Sequence, residues 1–144
     1  MRLNIQHLTL ISLLAGCLIL LQALHLYLNP SINVEWSTAS ELEVAGFNIL
    51  RANNVNGPFI QINETLIPSS DDPLTGGDYV YEDFNVEGGG RYLYQLQEVE
   101  LSGAVNIHGP IEAEATRGGI AEAVLAGVLL IGSIVLLAQT RRRE

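Results

Sequence analysis

The sequence has 144 residues, of which 48% are hydrophobic and 16% are charged, a composition that excludes an intrinsically disordered chain. From Ser31 to Arg117, 14 carboxylates stand against three arginines, and this net charge of −11 argues against nucleic acid or an anionic membrane surface as the partner. The single cysteine, Cys17, excludes an intrachain disulfide framework and a cysteine-based zinc site.

Residues 1–30 predict an N-terminal membrane-spanning helix. The stretch from Leu8 to Leu28 contains 21 residues without a charge, and Asn29-Pro30 then ends the helix. A helix of this length spans about 30 Å, the thickness of a bilayer core. Arg2 and His7 precede the stretch without any acidic residue, so we expect the N-terminus to stay on the cytoplasmic side.

Two kinds of processing compete with an intact N-terminal helix. The segment Leu14-Ala15-Gly16-Cys17 resembles a bacterial lipoprotein box, which makes Cys17 a candidate for lipidation and for the new N-terminus. The residues after Cys17 stay apolar, whereas lipoproteins usually turn polar there. An ordinary signal peptide has a shorter apolar region and an A-x-A-like exit. We therefore prefer an uncleaved helix and leave both alternatives open.

His25 lies inside this apolar segment, where a histidine can ligate haem or a pigment. Gln22 lies one turn earlier and shares its helix face. His25 is also close to the end of the helix and to Tyr27, a position where interfacial polar residues are routine. We therefore expect no cofactor and keep His25 only as a candidate ligand.

The middle of the chain, residues 31–116, predicts a mainly β domain. Apolar residues alternate with polar ones in about six short segments separated by Gly, Asn, Asp and Pro clusters, which is the pattern of a β-sandwich. No amphipathic helical period of useful length interrupts them, so we do not expect an α/β enzyme core. The alternating segments are Ile32–Trp36, Phe47–Ile49, Ile60–Ile62, Tyr79–Tyr81, Tyr92–Leu96 and Val105–Ile107.

The order of motifs in this domain resembles the fibronectin type III domain, in the variant found in bacterial surface proteins. The run VEWSTASELEVAGFNILRA is similar to its second and third strands, with Trp36 as the core tryptophan, and GPFIQIN is similar to the next strand. The run YVYEDFNVEGGGRYLYQLQEVELSG is similar to the fifth and sixth strands, with Tyr94 in a Tyr-x-Tyr-x-Leu motif. The resemblance implies an immunoglobulin-like sandwich that acts as a binding or spacer module.

The usual first strand of that family is missing from this sequence. The apolar segment ends at Pro30, and the strand that carries Trp36 begins almost at once. A sandwich of six strands then has an exposed edge. We expect the linker, a neighbouring chain or the bilayer surface to cover that edge, or the domain to be only marginally stable.

The domain offers few groups for catalysis or metal binding. Asp71, Asp72 and Asp78 could supply oxygen ligands to calcium, but their spacing does not fit an EF-hand loop, and we prefer a solvated acidic loop. His108 has no nucleophile context such as G-x-S-x-G in its neighbourhood, so we expect no enzyme. Asn63 begins an N-x-T glycosylation sequon, a pattern that is common by chance.

Residues 117–144 predict a second membrane-spanning helix. From Ile120 to Ala138 the only charge is Glu122, and three arginines at 141–143 follow as a stop-transfer signal. The positive-inside rule places this end in the cytoplasm as well, so we expect a two-span protein of the cytoplasmic membrane with an extracytoplasmic domain. The segment also loosely resembles C-terminal sorting signals that are cut, although it has no LPxTG-like motif.

Small residues recur every four positions in both apolar segments. Gly119, Ala123 and Gly127 form such a stripe in the second segment, and Ser12 and Gly16 have the same spacing in the first. Stripes of this kind allow two helices to approach closely in lipid. The alternative is that Gly and Ala are simply common in membrane helices.

Two functions are compatible with this sequence. In the first, a non-catalytic, membrane-anchored protein presents its domain to a partner or uses it as a spacer. In the second, the chain is a small accessory subunit that packs its helices into a larger membrane complex. Both imply the lipid bilayer and a protein as partners, without nucleic acid, and neither implies a cofactor or a metal.

Overall fold

Each end of the chain forms one long helix. The computed structural model describes residues 5–141, so Arg2, Arg142 and Arg143 lie outside the described residues. Helix α1 spans Ile5–Leu28 and helix α2 spans Ile120–Arg141. Both are long and apolar enough to cross a membrane, so the prediction of two candidate membrane-spanning helices is confirmed.

The chain divides into two compact units. One consists of the two ends, up to Pro30 and from Arg117, and the other is Ser31–Thr116. We call the second unit the β-domain, and we call α1 and α2 together the helix pair. Each unit has buried residues of its own, such as Ala126 in the helix pair and Tyr94 in the β-domain.

The β-domain contains seven strands, and all of their pairings are antiparallel. Each of the six predicted segments forms a strand, because a period of two lets one face of the strand pack inward. The additional strand, β4, has only two residues, which is too few to give an alternating pattern. The strands are β1 (Ile32–Ser37), β2 (Val44–Ala52), β3 (Ile60–Gln61), β4 (Ile67–Pro68), β5 (Asp78–Asp83), β6 (Arg91–Glu100) and β7 (Val105–Glu114).

The strands form two sheets. Strands β1 and β5 pair with each other, and the second sheet has the order β3-β2-β6-β7, with β4 also paired to β2. In register, Trp36 lies opposite Tyr79 and Ile49 lies opposite Leu96. A mainly β chain with an apolar helix at each end, as predicted from the sequence, is thereby confirmed.

The core of the β-domain is made by residues of both sheets. Val34 of β1, Ile49 of β2 and Tyr94 of β6 are all buried in one apolar cluster. Trp36 packs against this cluster with part of its surface exposed, and its ring stacks on Tyr79 with 5.0 Å between the centroids. Trp36 therefore borders the core instead of lying at its centre.

Candidate functional sites

The outer edge of β1 is open over most of its length. Among residues 5–141, β1 pairs only with β5, and β7 at the end of the other sheet pairs only with β6. Ser31, just before β1, forms an isolated antiparallel bridge with Thr116, so only the start of this edge is covered. The exposed edge predicted from the sequence is therefore present at β1.

The hydrogen-bonding pattern shows which backbone groups of β1 face the open edge. Thr38 donates its N–H to the carbonyl oxygen of Gly77 over 2.9 Å, and the two residues lie opposite each other in the β1–β5 register. Because hydrogen-bonded pairs alternate in an antiparallel ladder, Val34 and Trp36 bond to β5. The N–H and C=O groups that point away from β5 belong to Asn33, Glu35 and Ser37.

An apolar groove of about 200 Å³ lies along this edge, between β1, β6 and β7. Ile111 on its β7 side is 56% exposed, although it lies opposite the buried Tyr94. Trp36 contributes the β1 side, and its buried Nε1 has no hydrogen-bond acceptor in the described part of the chain. The residues that line the groove include Val34, Trp36, Tyr94, Leu96, Gly109 and Ile111.

A bulge in β7 shapes the far side of the groove. Tyr94 lies opposite Ile111, whereas Leu96, two residues later, lies opposite His108, so β7 accommodates one extra residue. Gly109, within the bulge, has a φ of 102°, and a Cβ there would lie 3.0 Å from the Tyr94 carbonyl oxygen. Only glycine suits this position. The bulge leaves both His108 and Ile111 on the face of the sheet that borders the groove.

A partly buried ion pair joins the two sheets. Arg51 Nη1 lies 2.6 Å from Asp83 Oδ2, and the Tyr94 hydroxyl donates to the same oxygen over 2.9 Å. The N–H of Asn85 donates to Asp83 Oδ1 over 3.0 Å. Burial is the largest cause that raises the pKa of Tyr94 above its usual range, and the hydrogen bond to Asp83 is the next largest. The carboxylate of Asp83 is therefore fully used by interactions within the domain.

The alternating pattern of the sequence carries a signal for this ion pair. Arg51 lies on the same face of β2 as Phe47 and Ile49, and Asp83 lies on the same face of β5 as Tyr81. The alternation therefore places both charges on inward faces. Opposite charges on two facing inner surfaces are expected to pair, because a single buried charge is costly.

A cavity of about 470 Å³ lies beside this ion pair. Its lining mixes polar side chains, such as Gln61 and Glu82, with apolar ones, such as Phe84. The Arg51 guanidinium at its wall is already engaged by Asp83 and, over 2.8 Å, by the carbonyl oxygen of Asn85. The cavity therefore presents no free cation of the described residues to an anionic ligand.

A second buried carboxylate, Glu41, fastens the loop after β1. It is 1% exposed and accepts hydrogen bonds from the hydroxyls of Thr38 and Tyr79 and from the Ser70 N–H. Burial alone would raise the pKa of Glu41, but these bonds together hold it below the usual value of 4.5. Burial, followed by the bond to Glu41, raises the pKa of Tyr79 to about 12. Because Tyr79 stacks on Trp36, this network also supports the β1 side of the groove.

The structure does not gather the three candidate calcium ligands. Asp72 Oδ1 accepts the N–H of Leu74 over 3.0 Å, as in an Asx turn, while Asp71 and Asp78 are exposed. Throughout the part of the chain that the structure describes, no three His, Cys, Asp or Glu side chains are placed to hold a metal ion. The arrangement fits a solvated acidic loop.

The other polar candidates have local partners. The exposed His25 lies at the end of α1, where the side-chain amide of Asn29 donates to its carbonyl oxygen over 2.8 Å. His108 Nε2 lies 3.4 Å from Glu98 Oε2 at the domain surface. Asn63, the sequon residue, is 6% exposed, and its side chain hydrogen-bonds to β2. Asn63 therefore anchors the loop after β3 and does not present itself as a glycosylation acceptor.

The helix pair packs along residues that are seven positions apart. Ser133 Oγ lies 2.8 Å from Ser12 Oγ, and a Cβ on Gly16 would lie 2.9 Å from Leu130. A spacing of seven keeps the contact on one side of each helix, as in a two-helix coiled coil. We call this line of contact the helix seam, and its buried residues are Thr9, Gly16 and Ala23 of α1 with Gly119, Ala126 and Ser133 of α2.

The four-residue stripe predicted for α2 does not describe the helix seam. Gly119 lies in the seam, but Ala123 is exposed, and a Cβ on Gly127 would meet no atom within 4 Å. At about 100° per residue, a position eight residues further on is displaced by about 80°, whereas one seven residues further on is displaced by about 20°. Cys17, the candidate for lipidation, is exposed and free and lies outside the seam.

No family model matches the chain, and no curated protein or solved structure is significantly similar to it. A function for this chain therefore has to follow from its own features, which are the helix pair, the open edge of β1 and the groove beside it.

Proposed function

We propose that this chain is a two-span protein of the cytoplasmic membrane that displays the β-domain on the extracytoplasmic side as a non-catalytic binding module. One observation carries the proposal: a folded two-sheet domain with an open strand edge lies in sequence between two helices of membrane-spanning length. Such an arrangement holds a domain at the membrane by both of its ends.

The charges at the outer ends of the two helices favour this orientation. Arg2 precedes α1 and three arginines occupy positions 141–143, whereas Ser31–Thr116 carries 14 carboxylates and two arginines. Basic residues in short segments next to a span stay on the cytoplasmic side. Both termini are then cytoplasmic, and the acidic β-domain lies outside, where it is not drawn onto anionic lipid.

The helix seam supports an intact α1. Acylation at Cys17 would remove the residues before it, among them Ser12 and Gly16. The contact of Gly16 with Leu130 and the pairing of Ser12 with Ser133 would then be lost. An uncleaved α1 keeps both, and we therefore include it in the proposal.

The open edge and the groove favour binding over a spacer role. Exposed edge strands tend to pair with other chains. A domain that serves only as a spacer has no use for an exposed edge strand. A groove beside a free edge is the feature that a strand-binding module uses. The fibronectin type III resemblance around Trp36 and Tyr94 belongs to this proposal, and the two-sheet core, which contains Tyr94 and is bordered by Trp36, supports it.

Cysteine labelling tests the orientation directly. Cys17→Ser removes the only cysteine, so that one reporter can be placed at Ser102→Cys, in the exposed turn after β6, and another at Glu144→Cys, beyond the arginines. A membrane-impermeant maleimide should label Ser102→Cys in intact cells or spheroplasts. It should label Glu144→Cys only after permeabilisation. Labelling of Glu144→Cys in intact cells would reject the two-span topology.

A second candidate function, an accessory subunit of a larger membrane complex, is favoured by the surface of the helix pair. Helices α1 and α2 leave an apolar hollow of about 440 Å³ near Leu24, Ile120 and Ala123, which a neighbouring helix could fill. Native purification in a mild detergent separates the two candidates. Comigration with a stoichiometric complex favours the accessory subunit, and a free chain favours the binding module.

A further inference from the structure

We propose that the open edge of β1 binds an extended, basic segment of another protein as an added strand, with the apolar side chains of that segment entering the groove between β1 and β7. The inference rests on the proposed role of the β-domain as a binding module and names the chemistry of its partner.

The backbone of β1 supplies the hydrogen bonds that an added strand needs. Asn33, Glu35 and Ser37 direct their N–H and C=O groups away from β5, and no other strand of residues 5–141 lies beside them. The bridge between Ser31 and Thr116 shows that pairing with a second segment already begins next to this edge. A partner strand would continue that pairing over residues 33–37.

The groove accepts the side chains of such a strand. Alternate residues of a strand paired with β1 point to the same side as Val34 and Trp36, which is the side of the groove. An apolar cavity of about 150 Å³ already admits benzene, and the groove measures about 200 Å³. Aliphatic or aromatic residues at alternate positions would cover the exposed Ile111, and burial of its apolar surface would favour binding.

Charge favours a basic partner over a second copy of this chain. Both arginines of the β-domain are already paired, Arg51 with Asp83 and Arg91 with Glu112 and Glu114. Two copies, each with 14 carboxylates against two arginines in Ser31–Thr116, would repel each other at the edge. Lys or Arg on the outward side of an added strand would instead lie across from the exposed Glu35.

Trp36 makes the binding directly observable. It is the only tryptophan of the chain and it lines the groove, so its fluorescence reports on occupancy. The full chain in phosphatidylcholine nanodiscs is titrated with a capped eight-residue peptide. Every second residue of this peptide is valine, and the residues between are arginine and threonine. We expect a saturable change in fluorescence. The same peptide with glutamate for arginine should bind at least about tenfold more weakly.

Variants of one residue separate the backbone bonds from charge. Glu35→Pro removes the central N–H of the open edge and leaves the bonds of Val34 and Trp36 to β5 in place, so binding should weaken at least about tenfold. Glu35→Gln keeps the N–H and should weaken binding only a few-fold. Val80 lies opposite Glu35, 66% exposed, and Val80→Pro, which changes the far edge of β5, should leave binding unchanged.

A peptide that is N-methylated at alternate positions tests the same backbone bonds without altering the protein, and it should not bind. Absence of any saturable change, or equal binding to the chain with Glu35→Pro, rejects the added strand. If the chain forms concentration-dependent dimers and Glu35→Pro abolishes them, a second copy of the chain occupies the open edge of β1. That result would also overturn the proposal. Cysteine labelling does not depend on the peptide, so a failed titration with correct labelling leaves the display of the β-domain standing.

Discussion

Asp83 occupies an inward position of β5 where an apolar residue would ordinarily lie. The Arg51 guanidinium, the Tyr94 hydroxyl and the Asn85 N–H all donate to its oxygens. These bonds offset the cost of burying two charges, and the side chain of Asp83 is only 4% exposed. The pair therefore restricts how β2, β5 and β6 can pack, since removing either charge leaves the other without compensation.

The first prediction concerns this pair. Asp83→Ala should lower the free energy of unfolding of the β-domain by about 3–5 kcal/mol, because Arg51, only 18% exposed, then lacks its counter-charge and the buried Tyr94 hydroxyl lacks its acceptor. Urea unfolding followed by Trp36 fluorescence measures it. The matched control is Glu112→Ala, which removes an exposed carboxylate 3.5 Å from Arg91 and should cost less than about 1 kcal/mol. Equal losses in the two variants would contradict the prediction.

The second prediction concerns alkaline pH. Burial, with a hydrogen bond to Glu41, raises the pKa of Tyr79 from 10.0 to about 12, and burial also raises the pKa values of Tyr81 and Tyr94. A raised pKa in the folded state stabilises the fold fully below pH 10, and that contribution is lost as the pH rises toward 12. The urea midpoint should therefore fall over this range.

The sequence makes this measurement clear to interpret, because it contains no lysine that would titrate in the same range. Tyr79→Phe removes one of the three phenols and should flatten part of the decline. A urea midpoint that stays constant from pH 9 to 12 would show that these phenols do not ionise with unfolding.

At the scale of elements, alternation and apolar length predicted most of what the structure contains. The alternating segments identify every strand except β4, and the two apolar runs identify both helices. Strand β4 and the bulge at Gly109 were not predicted, because a two-residue pairing and a one-residue register shift depend on the neighbouring strand and leave no periodic signal in their own sequence.

The helix seam shows the same limit. The set Gly119, Ala123 and Gly127 and the set Gly119, Ala126 and Ser133 both consist of small residues, so composition alone does not choose between them. The contacts with α1 decide which set lies in the helix seam, because Ser12 and Gly16 contact Ser133 and Leu130. A sequence read one helix at a time cannot supply that information, since the crossing geometry belongs to two helices together.

The third prediction compares two glycines of the helix pair. Gly16→Leu should disrupt the seam by about 1–3 kcal/mol, because even its Cβ would lie 2.9 Å from Leu130. Gly127→Leu should change little, since its Cβ would meet no atom within 4 Å. Disulfide formation between Ser12→Cys and Ser133→Cys, in a chain with Cys17→Ser, measures the seam. A slower reaction with Gly127→Leu than with Gly16→Leu would reverse this assignment.

At the scale of the whole molecule, the two units have separate interiors, and each interior suits a different solvent. The β-domain buries Ile49 and Tyr94 between its sheets and keeps its carboxylates at the surface, except for Glu41 and Asp83, as a domain in water does. The helix pair exposes large apolar side chains such as Leu18 and Ile131 and buries only small ones along the seam, which suits a hydrocarbon environment. Denaturants dissolved in water act on the first kind of interior far more than on the second.

The last prediction follows from this separation. In nanodiscs, urea should unfold the β-domain completely, as followed by Trp36 fluorescence. The rate of disulfide formation between Ser12→Cys and Ser133→Cys should meanwhile stay within about twofold of its value without urea. Conversely, Gly16→Leu should slow that disulfide and leave the urea midpoint of the β-domain unchanged. The reason is that every contact of the seam is made between α1 and α2 themselves. A seam that opens at the same urea concentration as the β-domain would show that the two units fold as one.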